Sequence, residues 1–461
     1  MNETSLENVF ARIDETFDVH LETILGYLRQ PSVSGTGEGV AVCADMTASL
    51  IESAGGTAEV VPTGGHPAVL GRIEGDGPTL LRYGMFDVQP ADEPDWVTPP
   101  FSADIRDHPG IGPCVFARGA ANSKACLAAF LLSAGVVREV TDLPTSVVLM
   151  LDGEEELGSP HLRGVVDDHR DFLKADAAFD LDLGALANGT TSVYLGVKGI
   201  LSWKLTCRGG DWGGPVDAAH HSSSGVVLAS PAWSLVRALS TLVDSDERPL
   251  VSGLDARIPP EDEPLLAALI DAWDFDTEMA GAGGARAFKT DDPETAVKAM
   301  LYSPALNING LRAGYADGGK TIIPHVAEAV LDLRVPYGCD MDAIDREVRE
   351  RIASVAPEVE VVEDERCLPA KTRSDSAVAH ALIRSHADAG RPPEVWPTAP
   401  WWAPYYLFEQ VLGLPFATGG AGYSAGAHAA NEHASVAGIK EHMKQCAAFL
   451  FRFAESHGRD R

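Results

Sequence analysis

Three consecutive carboxylates, Glu154-Glu155-Glu156, follow directly on the apolar run 146–151. A run of that length reads as a buried strand, and open α/β sheets place their sites just beyond the carboxyl ends of such strands. A carboxylate there can take a proton from a bound water or ligate a divalent cation, which favours a functional role over a solvated acidic turn. Asp182, in Asp176-Ala177-Ala178-Phe179-Asp180-Leu181-Asp182, and His428, in Gly426-Ala427-His428-Ala429-Ala430-Asn431-Glu432, are groups of the same chemical use. A rival nucleophile is also present, because Gly422-Tyr423-Ser424-Ala425-Gly426 matches G-x-S-x-G. That elbow needs a strand before the serine and a helix after it. Ser424 is preceded by Thr418-Gly419-Gly420-Ala421 and followed by small residues with no helix start, so a serine hydrolase is disfavoured.

Four segments carry a family resemblance. Tyr83-Gly84-Met85-Phe86-Asp87-Val88-Gln89-Pro90 resembles YGHYDVQP, with Met85 in place of a histidine, and Trp96–Phe101 continues it as W-x-x-x-P-F. Ala117-Arg118-Gly119-Ala120-Ala121-Asn122-Ser123-Lys124-Ala125 resembles GRGATDNKG. Asp152–Ser159 resembles EGEEExGS, and Gly426–Glu432 resembles GAHSxNE. These are the signatures of the M20 family of zinc aminopeptidases and dipeptidases. Their order and spacing span nearly the whole chain, and the DVQP wording points to the dipeptidase (carnosinase-like) branch.

The resemblance implies a pair of zinc ions about 3.5 Å apart, bridged by a carboxylate and a water. By position, the bridging Asp falls on Asn122 and the general base on Glu155. One zinc would take Glu156 and His428. The other would take Asp182 and the position of Met85, and Asp87 would orient the ring that Met85 replaces. Two of the five ligand positions are therefore altered. A thioether is a poor zinc ligand beside imidazole, and Asn122 offers one neutral oxygen where a bridge needs two anionic ones. At most one zinc ion per chain, or none, is expected. Without cations the Glu155, Glu156 and Asp182 carboxylates cannot all stay ionised, and Lys124 is a candidate to neutralise them.

On the substrate side, Asp217–Pro231 resembles the segment whose His reaches the partner subunit's active site. His220 is in register and His221 is one residue out. Lys320–Pro324 and Arg334-Val335-Pro336 resemble KTVIP and RLVP, which makes Thr321 and Arg334 candidates for holding a substrate carboxylate. The family's small-residue GGSIP loop becomes Pro400-Trp401-Trp402-Ala403-Pro404 here, which implies a different substrate, flatter or more apolar than an ordinary dipeptide, with Trp402 among its binding residues.

A chain of 461 residues can hold two or three domains, and 45% apolar with 22% charged residues is ordinary globular composition. The net charge of −31 argues against nucleic acid and anionic membranes as partners. No apolar run spans a bilayer, and Met1-Asn2-Glu3-Thr4 opens no signal peptide. Seven scattered cysteines point to a reducing compartment, so a cytoplasmic protein is expected. Helical periodicity is read over 5–30, 40–54, 124–137, 230–243, 264–273 and 340–355. Strands are read over 58–61, 68–73, 80–83, 146–151, 326–335 and 359–362, with strand, turn, strand over 193–207. Residues 208–215 and 280–285 read as flexible loops. The expected fold is an M20-type α/β catalytic domain, a mixed sheet flanked by helices, with an inserted α+β ferredoxin-like lid. Its boundaries are 1–197, 198–371 and 372–461, and homodimerisation through the lid is expected.

Three functional readings follow. The first is an enzyme acting on an amide-type bond of a small carboxylated substrate through Glu155, with hydrolysis and a non-hydrolytic biosynthetic chemistry (amide formation, acyl transfer, cyclisation or elimination) both open. The second is a silent homologue that binds a small molecule or a partner. The third is a conventional zinc dipeptidase with substituted ligands.

Overall fold

The computed structural model describes residues 3–254, 257–273, 289–290, 292–315, 318–390 and 392–458. It divides into two compact units, Met1–Leu195 with Lys371–Pro397 and Leu407–Arg461, and Gly196–Ala370 with Thr398–Tyr406. The segment Thr398–Tyr406, which the sequence places in the second catalytic stretch, groups with the inserted unit. The backbone of Lys198 ties it there by donating to Trp401 O.

The first unit is built on an eight-stranded mixed sheet. Its strands run in the order Thr57–Val61, Ala68–Ile73, Ser146–Asp152, Thr79–Met85, Ala177–Leu181, Phe416–Gly419, Ser192–Tyr194 and Glu394–Trp396. The central strands are parallel: Met85 pairs with Asp152, Arg82 with Phe179, and Gly419 with Leu181. Both faces of such a strand are covered, so Ser146–Asp152 is buried along its whole length. Helix Glu3–Arg29 buries Val9, Ile13, Phe17, Ile24 and Leu28 at helical spacing, and it ends two residues before Pro31. It packs with Lys124–Val140 and Val436–His457.

The parallel arrangement has one consequence for function. Strands Thr79–Met85, Ser146–Asp152, Ala177–Leu181 and Phe416–Gly419 all finish at the same end of the sheet. Their continuations carry Asp87, Glu154–Glu156, Asp182 and the loop to His428.

The second unit is a four-stranded antiparallel sheet, in the order Ala305–Ala313, Val326–Val335, Gly199–Arg208, Val359–Cys367. Helices Pro231–Leu239 and Met341–Val355 lie against it. The chain order is βαββαβ, a ferredoxin-like topology. Its core gathers Trp203, Leu205, Leu331, Ile344 and Val348, and Trp203 Nε1 donates to Asp345 at 2.7 Å.

Several elements differ from the expected ones. The helix expected over 230–243 stops at Leu239. There the hydroxyls of Ser240 and Thr241 donate to Arg237 O and Ala238 O, capturing carbonyls the next turn would use. Strands not foreseen include the hairpin Asp104–His108 with Gly112–Phe116, the edge strand Ala305–Ala313, and the sheet strands Ala177–Leu181, Phe416–Gly419 and Glu394–Trp396. Asp104–His108 and Ala305–Ala313 are largely exposed and lack clean alternation. The loop 208–215 is tied, with Gly209 N donating to His325 O and Trp212 Nε1 to Arg208 O. The other loop, 280–285, lies outside the described residues. All seven cysteines are free thiols. Among the described residues no helix is long and apolar enough to cross a membrane.

Candidate functional site

The site in the first unit is organised by two buried carboxylates that sit behind the ones expected to react. Asp87 is fully buried and accepts from the backbone N–H of Glu155 and of Glu156, both at 3.1 Å. It therefore holds the turn that presents those two side chains. With Met85 in place of the expected imidazole, these backbone bonds are the contacts that Asp87 makes toward the site. Glu432 is also fully buried. It accepts from the backbone N–H of Gly119, Ala121 and Asn122 at 2.8–3.1 Å and pairs with Arg118 Nη1 at 2.8 Å. One carboxylate thus clamps the loop that carries Asn122 to the loop that carries His428. Glu432 and Arg118 were not singled out beforehand, although both lie inside the quoted motifs.

Glu156, Asn122 and His428 converge. Asn122 Nδ2 lies 2.9 Å from Glu156 Oε1 and 2.9 Å from His428 Nε2, and His428 Nε2 is 3.1 Å from Glu156 Oε2. Gln89 Nε2 adds a bond to Glu156 Oε2 at 2.8 Å. His428 sits at φ 61°, a left-handed conformation uncommon for residues other than glycine, and its imidazole stands above its usual pKa because Glu156 accepts its hydrogen bond. Asp182 lies apart from these three in its bonding, accepting from Cys126 Sγ at 3.1 Å. The backbone beside it is close-packed: a Cβ on Gly420 would fall 1.7 Å from Asp182 O. The glycines before Ser424 therefore serve that packing, and Ser424 Oγ donates to Leu183 O at 2.6 Å, which removes it as a nucleophile.

Burial dominates the electrostatics. It raises the Asp87 carboxyl to about 7, with Asp152 as the next contributor, and raises Asp152 itself to about 6. Asp182 rises to about 6 through burial and then Asp180. Glu155 is pushed well above the carboxylate range by burial and then by Glu156, Asp87 and Asp152. The expected neutralising cation is misplaced. Lys124 Nζ donates to Gln30 O at 2.5 Å and lies 4.7 Å from the Tyr27 ring centroid. The cation near this cluster is instead Arg82, fully buried, bonded to Asp180 and donating to Leu181 O at 2.9 Å. Its guanidinium packs over Phe130 and Phe179, and its charge also lowers Asp182.

The donor set does not fit a two-metal centre. At the bridging position Asn122 turns its NH₂ toward Glu156 and His428; at the second ion's position Met85 removes the imidazole, and without a bridging carboxylate Asp182 is the sole anionic ligand. Among the described residues, no group of three or more His, Cys, Asp or Glu side chains is placed to hold an ion. Glu156 and His428 are the two that could hold a single one.

The other predicted residues belong to the second unit. His220 and His221 form a short ribbon with Ile322–Ile323, and Ser222 N donates to Thr321 O, so Thr321 lies beside the histidine pair. His221 Nδ1 accepts from Ser223 N at 3.2 Å, while His220 is exposed. Arg334 is on a different sheet and donates to Asp332 at 3.0 Å. Trp402 is partly buried, and Trp401 packs edge-on to Tyr405.

Comparison with known proteins agrees with this architecture. Residues 83–456 match the family described as Peptidase family M20/M25/M40. The chain is 26% identical over 422 residues to the Cys-Gly metallodipeptidase DUG1 of Candida albicans, covering 85% of this chain and 82% of that one. It is 26% identical over 299 residues to the human Beta-Ala-His dipeptidase, 63% of this chain and 56% of that one. The structure of the M20 family metallo-carboxypeptidase Sso-CP2 from Sulfolobus solfataricus has a TM-score of 0.87 and 31% identity, covering 95% and 99% of the two chains. Human carnosine dipeptidase 1 shares the fold, with a TM-score of 0.80 at 23% identity and coverage of 98% and 99%.

The Arg82–Asp180 pair gives a test of this electrostatic account. Arg82→Met strands Asp180 in the interior and is expected to cost about 3–5 kcal/mol of unfolding free energy. The double variant Arg82→Met/Asp180→Leu should recover most of that loss in denaturant unfolding. A single variant within about 0.5 kcal/mol of the parent would show that the pair is not needed to balance the site.

Proposed function

Because the chain belongs to the M20 peptidase family, we propose that it acts on the amide-type bond of a small, dipeptide-like carboxylated substrate, with Glu155 as the proton-transferring group. The scaffold is that of a metallohydrolase enzyme, and its relatives are named dipeptidases. The observation that carries the reading is the pair of backbone bonds through which buried Asp87 fixes Glu155 and Glu156 beyond the sheet's carboxyl end. Burial and its acidic neighbours push the Glu155 carboxyl up, so a cation held beside Glu156 and His428 would favour the ionised form that takes the proton of an attacking water and returns it to the leaving nitrogen. Arg334 and Thr321 are the proposed partners of the substrate carboxylate, Trp402 borders it, and His220 is the proposed polariser of the scissile carbonyl. Hydrolysis is the chemistry the relatives favour. Transfer of the same acyl group to an amine would use the same proton transfers.

The altered donors support one ion per chain at most, on Glu156 and His428. A zinc ion there would supply Lewis-acid polarisation of the carbonyl. Asp182, freed from that duty, is matched by Arg82 and Cys126.

A homodimer is also proposed, through the edge strand Ala305–Ala313. All but one of its residues are exposed, including Ile308 and Leu311 at 54% and 56%. An edge unpaired among the described residues and bearing apolar side chains invites pairing with a second copy.

Two measurements follow. Turnover of a panel of dipeptides by purified protein should fall roughly 100-fold or more in Glu155→Gln. Unchanged turnover would remove Glu155 from the mechanism, and a wild type with no turnover on the panel would favour the silent homologue. Light scattering should find a dimer that Ile308→Lys/Leu311→Lys converts to monomer. A monomeric wild type would contradict the interface.

A further inference from the structure

The two altered positions of the centre differ in what they put there. Met85 removes an imidazole and supplies no hydrogen-bond donor in its place. The Asn122 side chain instead reaches both groups that could hold an ion. Its Nδ2 lies 2.9 Å from Glu156 Oε1 and 2.9 Å from His428 Nε2. An amide NH₂ carries two donors and no lone pair for a metal. It therefore meets a carboxylate oxygen and an imidazole nitrogen as a cation would meet them, and those are the residues a single zinc ion would need.

The amide is held in this orientation. Asn122 Oδ1 accepts from Ser123 Oγ at 2.9 Å, which leaves the NH₂ for Glu156. Turning the carbonyl toward Glu156 would set two acceptors against each other and break the Ser123 bond. The backbone is fixed as well, since Asn122 N donates to buried Glu432 at 2.9 Å. Gln89 Nε2 serves Glu156 Oε2 at 2.8 Å. Both oxygens of a carboxylate whose side chain is 4% exposed are thus satisfied by the chain's own amides. His428 Nε2, 3.1 Å from Glu156 Oε2, is engaged in either tautomer. With its proton it donates to Glu156, and without it the nitrogen accepts from Asn122.

We propose that Asn122 sets the metal occupancy of this centre as a built-in competitor: its amide fills the ion's place, and an ion is held on Glu156 and His428 only after the Asn122 side chain turns out. This deepens the one-ion reading of the site and rests on it. It gives Asn122 an effect beyond the loss of a bridging carboxylate. A lost bridge weakens binding to the same extent whichever neutral residue replaces it. A competing amide weakens binding further, by the hydrogen bonds that must break before the ion enters, so truncating the side chain strengthens it. The clamp to Glu432 runs through the Asn122 backbone N–H and survives that truncation.

The experiment is titration of the chelator-stripped full chain with Zn²⁺ under a competing indicator at fixed pH, with the fold of each variant verified by circular dichroism. Asn122→Ala should bind zinc about tenfold more tightly than the parent, and adding His428→Ala should abolish the gain. A parent that binds no zinc beside an Asn122→Ala that does is the limit of the same result. Equal or weaker binding in Asn122→Ala, or none in either protein, overturns the proposal. If His428→Ala alone still abolishes binding by the parent, the one-ion reading survives that failure. A gain that His428→Ala leaves in place puts the ion elsewhere and overturns both. Should Asn122→Ala not fold, Asn122→Ser, too short to span Glu156 and His428, is judged by the same criterion.

Discussion

Too many carboxylates are buried together at the carboxyl end of the central sheet, and the rest of the site is arranged around that constraint. Asp87, Asp152 and Glu154 are buried there, with Glu155, Glu156, Asp180 and Asp182 close by. An uncompensated charge in such a place costs several kcal/mol, so each group must be paired, hydrogen-bonded or protonated. All three solutions occur. Asp180 takes Arg82, Glu156 takes Asn122, Gln89 and His428, and burial drives Asp87, Asp152, Asp182 and Glu155 toward the protonated form.

The same constraint explains why Asn122 and Met85 belong together. A bridging carboxylate would add another negative charge beside Glu156. Asn122 instead presents hydrogen-bond donors, so the anion is met by an amide where the family's chemistry would meet it with a cation. Met85 adds no charge either, and Arg82 is the fixed cation on the Asp182 side. Glu432 makes the arrangement rigid, since it secures the Asn122 loop through three backbone amides and Arg118.

Much of this was legible in the chain and some was not, for definite reasons. The strand before Glu154 and the strand Val326–Val335 are continuous or alternating apolar runs, and the motif order already implied an interrupted α/β fold. The Arg82–Asp180 pair is invisible without register, because the two residues are 98 apart and meet only when two parallel strands lie side by side. Lys124 looked like the site's cation because its motif places it beside Asn122, but as the first residue of its helix it turns toward Gln30 and Tyr27. The edge strand Ala305–Ala313 escaped notice because almost none of it is covered.

The proposal of at most one metal ion at this centre is tested most directly by zinc stoichiometry. Chelator-stripped protein titrated with Zn²⁺ under a competing indicator should bind at most one equivalent per chain at the site. The variant Met85→His/Asn122→Asp, which restores the anionic bridge and the imidazole, should gain a second. Two tightly bound equivalents in the unmodified chain would contradict the account.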